Sequence, residues 1–172
     1  MKSSAISLYS KLHNNEKPYR LVVHKSSDYS FDELEGFKKA SEGIEIKDFV
    51  HIYSSRREIK FRAITSTSYP ITRGSFFLPN SKDNIFYLYT TGYIPAYKTY
   101  PGAQIPLPIK AKLIESDSSS QKIAEDIMHL TKLDWNTSSF SIRKPVTISV
   151  SEKVGAILGE MKNIKQKDPP TP

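Results

Sequence analysis

Residues 20–30, RLVVHKSSDYS, decide the fold of this chain together with the helix signal that follows them. Tyr19 to His24 is typical of a short buried strand, and the polar residues after it form a turn. Ser30 then opens SFDELEGFKKA as an N-cap, with Glu33 three residues later completing a capping box. Phe49 to Tyr53 is the next predicted strand. A strand, a helix and a second strand predict a parallel pair with a right-handed crossover.

Outside this unit the apolar spacing predicts further strands and three more helices. Phe31, Leu34 and Phe37 are expected to face the core from the helix that Gly43 ends, and the final helix is expected to bury Val154, Ile157, Leu158 and Met161. The remaining predicted strands are Ile59–Ile64, Gly74–Leu78, Ile85–Thr90 and Ile109–Ile114. The remaining helices are Ser4–His13, Gln121–Lys132 with a serine cap, and Ser151–Asn163.

Size and composition predict one intracellular globular domain. The 172 residues are 38% hydrophobic and 25% charged, no apolar run approaches the ~20 residues of a membrane helix, and the N-terminus lacks the features of a secretory signal. We therefore expect a cytoplasmic location. The absence of cysteine excludes disulfides and thiolate zinc sites. The net charge of +7 favours nucleic acid as a partner, although a merely basic soluble protein would have the same composition.

The strand ends offer few groups for catalysis. Paired carboxylates for two-metal chemistry should converge there, but the first side chains past the first strand include Ser26 and Ser27, and the nearest acid, Asp28, is expected to be a solvated turn residue. Glu152 lies in the first turn of the last helix, where its charge suits the helix dipole whatever the function. A serine nucleophile paired with His24 lacks a third member. The four histidines lack helical metal-pair spacing.

Two segments carry residues suited to binding phosphates. Arg73 beside Gly74 in YPITRGSFF can bind a phosphate where glycine lets the backbone approach. An arginine that protects a sheet edge from aggregation would give the same sequence pattern. The second segment, LTKLDWNTSSFSIRKPVT, lies between the last two predicted helices. Its hydroxyl, amide and cationic side chains suit a sugar-phosphate backbone, and a capped surface loop is the alternative interpretation. Its polar residues are Lys132, Asn136, Thr137, Ser138, Ser139, Arg143 and Lys144.

Four segments, in order, resemble the C-terminal half of the Piwi domain of prokaryotic Argonautes. They are RLVVHKSSDYSFDELEGF, YPITRGSFF, YLYTTGYIPAYKTYPGAQIPLPI and LTKLDWNTSSFSIRKPVTISVSEKVGAIL, and the similarity covers about residues 18–162. The resemblance implies an α/β fold, a mixed sheet flanked by helices that forms part of a ribonuclease-H-like (Piwi) domain. Residues 1–164 would be this single domain and 165–172 a disordered tail.

The resemblance also assigns the catalytic positions. Cleaving relatives carry a metal-binding aspartate where HKSS places Ser26, and their last catalytic aspartate or histidine falls on or near Glu152. Serine lacks the charge that Mg²⁺ requires, so the chain resembles the catalytically inactive group of Argonautes. We expect no metal bound by this chain itself, and the one candidate cofactor is Mg²⁺ at the guide 5′-phosphate pocket of a complete assembly.

The same resemblance implies a set of nucleic-acid contacts and partners. Guide RNA or DNA and a complementary target strand are the expected partners, together with a second polypeptide that supplies the rest of the Piwi domain and the guide-anchoring domain, as in a split Argonaute of prokaryotic defence. The alternatives are an active nuclease completed by a partner with Asp28 and Glu152, or a structural interaction module. The implied binding residues are Lys132, Asn136, Thr137, Arg143 and Thr147, with Arg73 and Lys98 as weaker candidates.

Overall fold

The computed structural model describes residues 2–53, 70–80, 84–100, 105–134 and 142–167. Four helices and five strands make up these ranges. The helices are α1 (Lys2–Leu12), α2 (Phe31–Ala40), α3 (Ser120–Leu130) and α4 (Val146–Lys167); the strands are β1 (Arg20–Lys25), β2 (Ile46–Tyr53), β3 (Phe76–Phe77), β4 (Ile85–Leu88) and β5 (Ile109–Ser116). No helix in these ranges is both long and apolar enough to cross a membrane.

The unit of β1, α2 and β2 is the predicted parallel pair. β1 runs parallel to β2, with Arg20 opposite Ile46 and Lys25 opposite His51, and α2 is the connection between them. The sequence prediction of this crossover is therefore confirmed. β2 begins three residues before the predicted start at Phe49.

The N-terminus of α2 is capped by Ser30, as predicted. The Ser30 hydroxyl accepts a hydrogen bond from the Glu33 backbone N–H at 3.3 Å. The Glu33 carboxylate contacts the Lys25 ammonium group of β1, so it ties the helix to the strand. The helix ends at Ala40, before Gly43, which has φ +77°.

Removal of this cap should weaken the domain modestly. Ser30→Ala leaves one backbone donor of the first turn without its partner, and we expect a loss of about 1 kcal/mol in the free energy of unfolding. Ser27→Ala, in the exposed turn before it, is the matched control and should stay within about 0.5 kcal/mol of the parent. Urea unfolding measures both, and equal effects would contradict the capping role.

The sheet has the order β1-β2-β5-β4-β3. β5 pairs antiparallel with both β2 and β4, and β3 pairs antiparallel with β4. β1 and β3 are therefore the two edges of the described sheet. The register between β2 and β5 shifts between Phe49 and Val50, as at a β-bulge.

The main core lies between the sheet and α3. Alternate residues of β2, β4 and β5 point to this face, and Ile148 from the first turn of α4 joins them. The α3 cap is also as predicted, because the Ser119 hydroxyl accepts a hydrogen bond from the Lys122 N–H at 3.2 Å. The core side chains are Val50, Ile52, Phe86, Leu88, Ile109, Ala111, Leu113, Ile123, Ala124, Ile127 and Ile148.

A smaller aromatic cluster packs α2 against the opposite face of the sheet. Phe37 of α2 is buried, and its ring centroid lies 5.7 Å from those of both Tyr29 and Phe49. Leu34 is half-buried. The prediction that Phe31 faces the core is wrong: it is 79% exposed. As the first helical residue it lies beyond the part of α2 that packs against the sheet.

The later elements differ from prediction at their ends. β3 covers only two residues of the predicted strand, and β4 ends at Leu88, although Tyr89 and Thr90 are buried beyond it. The predicted strand Ile59–Ile64 lies outside the described residues. α4 begins five residues before the predicted Ser151 and continues past Asn163 to Lys167, so residues 165–167 of the expected tail are helical.

The predicted burial of the last helix is wrong. Val154, Ile157, Leu158 and Met161 are all about half exposed. They lie on a helix as predicted, but the described part of the chain supplies nothing that covers them. Of the α4 side chains that the structure describes, those of the first turn alone reach the core, through Ile148.

Candidate nucleic-acid interface

The turn after β1 holds the position that sequence analysis assigned to a catalytic aspartate. Ser26 is exposed immediately beyond the strand. The turn is fixed by its neighbours, because the Lys25 ammonium group donates to the Asp28 carbonyl at 2.6 Å and the Tyr29 hydroxyl donates to the Val23 carbonyl at 2.9 Å. The neutral hydroxyl of Ser26 is thus exposed on a turn that these two hydrogen bonds hold in place.

The two carboxylates considered for catalysis each have a basic neighbour. Asp28 is 91% exposed, and its Oδ1 lies 3.0 Å from Nδ1 of the buried His51. Glu152 accepts hydrogen bonds from the Lys144 ammonium group at 2.8 and 2.6 Å. No group of three or more His, Asp or Glu side chains that could hold a metal ion occurs among the described residues. The turn after β1 offers a cation one exposed carboxylate, that of Asp28, and the neutral hydroxyls of Ser26 and Ser27.

Arg73 is held at the margin of the sheet by neutral acceptors. Its Nε donates to the Thr90 carbonyl at 2.7 Å, and its Nη2 donates to the Thr131 hydroxyl at 3.0 Å. Burial lowers the pKa of the guanidinium from its ordinary value, and no carboxylate of the described chain pairs with it. Within the described ranges Arg73 is therefore a half-buried cation without a counter-charge.

Gly92 makes this position of Arg73 possible. It has φ +149°, and a Cβ atom there would lie 2.3 Å from the Ile71 carbonyl oxygen and 2.9 Å from the Arg73 nitrogen. The close approach allows the Arg73 N–H to donate to the Tyr93 carbonyl at 2.9 Å. Any side chain at residue 92 would displace the segment that carries Arg73.

Arg143 reaches the same region from the other side. The buried Thr90 donates its hydroxyl to the Arg143 carbonyl at 2.7 Å, and Arg143 Nη2 donates to the Pro108 carbonyl at 3.0 Å. Thr90 therefore joins the segments of Arg73 and Arg143. Lys132 follows Thr131, the second anchor of Arg73, and is exposed. Two of the predicted binding residues, Arg73 and Arg143, are thus joined through Thr90, and Lys132 lies next in the chain to Thr131.

Thr147 connects this region to the end of β1. Its hydroxyl lies 2.9 Å from Nδ1 of His24, in the first turn of α4. Burial, with a smaller effect of the Arg20 charge, outweighs the opposing charges of Asp126 and Asp48 and lowers the pKa of His24 to about 4. His24 is thus a neutral hydrogen-bonding residue at neutral pH, and it positions the helix start.

The other predicted binding residues are less well placed. Lys98 is exposed in a left-handed conformation, φ +50°, after the short 3₁₀ helix Pro95–Tyr97. It takes no part in the hydrogen bonds that hold Arg73, Arg143 and Thr147. Asn136 and Thr137 lie outside the described residues.

Sequence analysis missed a buried ionic cluster under α3. The Asp48 carboxylate is fully buried and accepts hydrogen bonds from Arg20 Nε at 3.0 Å, from the Ser116 hydroxyl at 2.6 Å and from the Ser118 hydroxyl at 2.8 Å. Arg20 Nη1 also donates to Asp126 at 2.6 Å. The sequence signal that could have revealed this cluster is the acid Asp48 at an inward-facing position of β2. Acidic side chains are rarely buried without a partner, so a buried cation or other donor should be expected beside it.

Comparison with known proteins places this fold. No protein-family model matches the chain, and no curated protein matches it significantly. The Argonaute of Clostridium butyricum, solved bound to a guide DNA and a 19-mer target DNA, aligns with TM-score 0.64 and 21% identity over 87% of this chain and 19% of its own.

Two further Argonautes give the same result. That of Aquifex aeolicus aligns with TM-score 0.61 and 22% identity over 91% of this chain and 21% of its own. That of Marinitoga piezophila, in complex with a 5′-OH guide RNA and target DNA, aligns with TM-score 0.62 and 14% identity over 89% and 21%. The chain spans about a fifth of the length of these proteins. The predicted mixed sheet flanked by helices, part of a ribonuclease-H-like Piwi fold, is confirmed.

Proposed function

We propose that this chain binds a guide strand and its paired target as a non-cleaving subunit of a split prokaryotic Argonaute that acts in defence against invading DNA. The observation that carries the proposal is the joining of the Arg73 and Arg143 segments through the buried Thr90. Lys132 follows Thr131, which accepts a hydrogen bond from Arg73. The fold is shared with Argonautes solved with guide and target strands.

The chemistry of this cluster suits a sugar-phosphate backbone. Arg73 is half-buried, and its acceptors among the described residues are neutral, so an incoming phosphate would provide a counter-charge that those residues do not supply. Lys132 adds an exposed cation. Thr147 and the backbone N–H groups of the first turn of α4 lie next in the chain to Arg143 and Lys144, and helix N-termini favour anions. Such contacts position a strand without reading its sequence.

The non-cleaving part of the proposal rests on the donor atoms at the β1 turn. Mg²⁺ in nucleases is held by carboxylates that converge on one point. Here Ser26 contributes a neutral hydroxyl, and Glu152 is already paired with Lys144. Among the described residues, Asp28 is then the one exposed carboxylate of the turn, and this donor set does not fit a catalytic Mg²⁺.

The second polypeptide is proposed from the open edge of the described sheet. β1 is an edge strand of the described sheet and is half-buried along its length. Open strand edges pair readily with other chains. A polypeptide that supplies further strands would extend the sheet at β1, next to the turn that carries Ser26.

A guide-binding assay on the chain with its co-purified partner tests the proposal. We expect labelled single-stranded RNA or DNA to bind with an affinity that falls steeply with salt. Lys132→Ala combined with Arg143→Ala should weaken binding by about tenfold or more and reduce the salt slope, because phosphate contacts are lost. Fluorescence anisotropy at several salt concentrations measures both effects.

The matched control removes two lysines elsewhere. Lys39→Ala with Lys112→Ala lowers the net charge equally from exposed positions on α2 and β5, and it should leave affinity within about threefold. Thermal unfolding must show that each variant is folded, since Arg143 also anchors Pro108. Equal weakening in both pairs, or no binding of RNA or DNA by the complex, would refute the proposed interface.

An active nuclease is the second candidate, favoured by the exposed carboxylate of Asp28 at the end of β1. Mg²⁺-dependent cleavage of a guide-paired target by the complex, lost in Asp28→Ala, would select this candidate. A structural interaction module would instead show unchanged nucleic-acid affinity in the Lys132 and Arg143 double variant.

A further inference from the structure

The outer part of α4 carries an apolar stripe that the described chain leaves uncovered. After the first turn, where Ile148 is buried, every described residue from Val150 to Met161 is exposed. Five large apolar side chains in this stretch are between 45% and 57% exposed: Val150, Val154, Ile157, Leu158 and Met161. This set is called the α4 stripe below.

The α4 stripe has the spacing of a two-helix seam. Val150, Val154, Ile157 and Met161 follow one another at intervals of four, three and four residues, which is the a/d pattern of a coiled coil. Leu158 lies beside this line. Helices of this length are marginal in water without tertiary packing, so a helix that extends away from the core in this way needs a partner along its apolar side.

The charged residues beside the stripe indicate which partner fits. Lys153 and Glu160 lie one heptad apart on the same flank, and both are exposed. When two copies of α4 run antiparallel, with Val154 of one copy opposite Ile157 of the second, Val150 comes opposite Met161. In that register Lys153 faces Glu160 of the second copy, and the pairing occurs twice because of the two-fold symmetry.

We propose that two copies of this chain associate through an antiparallel pairing of their α4 stripes. The surface is complementary to itself in apolar spacing and in charge, as an isologous interface requires. The contact covers about three helical turns, which places it at the small end of specific interfaces, so the dimer should form in a concentration-dependent equilibrium. The proposal does not depend on nucleic-acid binding, because Lys132 and Arg143 lie outside the stripe.

Charge reversal tests the register. In Lys153→Glu, two glutamates face each other at both flanks, and we expect dimerisation to weaken about tenfold in sedimentation equilibrium. Adding Glu160→Lys restores opposite charges and should return the dimerisation constant to within about threefold of the parent. Lys39→Glu on α2 is the control with the same charge change, and it should leave association unchanged.

Disulfide trapping tests the direction of the helices. The chain has no cysteine, so single cysteines can be placed cleanly. An equimolar mixture of Val150→Cys and Met161→Cys proteins should form a disulfide-linked heterodimer under mild oxidation, whereas Val150→Cys alone should not, because its two sulfur atoms would lie about 16 Å apart along the axis.

Three outcomes would overturn the proposal. The first is a chain that stays monomeric up to the highest soluble concentration, which would mean that a different polypeptide covers the stripe. The second is a double charge variant that associates no better than Lys153→Glu. The third is efficient crosslinking of Val150→Cys with itself, which indicates parallel helices.

Discussion

Replacing Asp48 with alanine is expected to remove about 3–5 kcal/mol from the free energy of unfolding, a large part of the stability of a domain of this size. The carboxylate is fully buried in β2 and joins β1, the end of β5 and the residues that precede α3. Its removal leaves Arg20 in a partly buried position with one acid fewer, and takes the carboxylate acceptor from the Ser118 hydroxyl, whereas the Ser116 hydroxyl keeps the Ser118 carbonyl as its acceptor.

The charge state of Asp48 agrees with this role. Burial alone would raise the pKa of the carboxyl group, but the hydrogen bonds from Ser116, Ser118 and Arg20 outweigh it and hold the pKa below its ordinary value. A carboxyl group of this kind contributes stability at neutral pH, and the contribution is lost only as the pH falls below about 4.

Urea unfolding at pH 7 measures the effect of Asp48→Ala. Glu125→Ala is the matched control, since Glu125 is an exposed acid of α3, and we expect it to change stability by no more than about 0.5 kcal/mol. A loss of under 1 kcal/mol in Asp48→Ala would show that the cluster does not hold these elements together.

Acid should destabilise the protein in a window set by His24. Burial keeps the pKa of His24 at about 4 in the folded protein, against about 6.5 for an unfolded histidine. The unfolded chain therefore binds the extra proton between these values. Stability is unaffected above about pH 6.5 and falls as the pH decreases towards 4, by as much as about 3 kcal/mol from this residue.

The variant His24→Asn isolates this effect, because asparagine does not titrate and its amide can still meet the Thr147 hydroxyl. The difference in unfolding free energy between pH 7.5 and pH 4.5 should be smaller in His24→Asn than in the parent by about 2–3 kcal/mol. His129→Gln, at an exposed position of α3, should behave like the parent. Parallel pH profiles for the parent and His24→Asn would contradict the assignment.

The local part of the fold could be predicted from the sequence. The crossover from β1 to β2 and the caps of Ser30 and Ser119 depend on residues close together in the chain. Patterns formed by neighbouring residues are the ones from which secondary structure is most readily predicted. The strand order, in which β5 inserts between β2 and β4, depends on pairings between distant residues that no local pattern encodes.

The errors have a common physical origin. The spacing in α4 correctly identified an apolar stripe, but periodicity does not say what covers it, and here the described chain does not. Phe31 was misplaced for the same reason. The candidate interface was partly predicted, because Arg73, Lys132 and Arg143 were identified from residue type. The sequence gives no sign that Thr90 joins the two arginine segments or that Thr131 accepts from Arg73, because these contacts depend on the tertiary fold.

The central place of β5 has a consequence for synthesis. β2 and β4 are made before β5, yet each pairs with it in the finished sheet. While the nascent chain ends short of residue 109, Val50, Ile52, Phe86 and Leu88 lack the strand they pack beside, and β2 presents an open edge. Such nascent chains are prone to aggregate. We therefore expect ribosome-bound chains stalled before β5 to recruit chaperones that bind unfolded segments. These chaperones should be released once β5 and α3 have been synthesised.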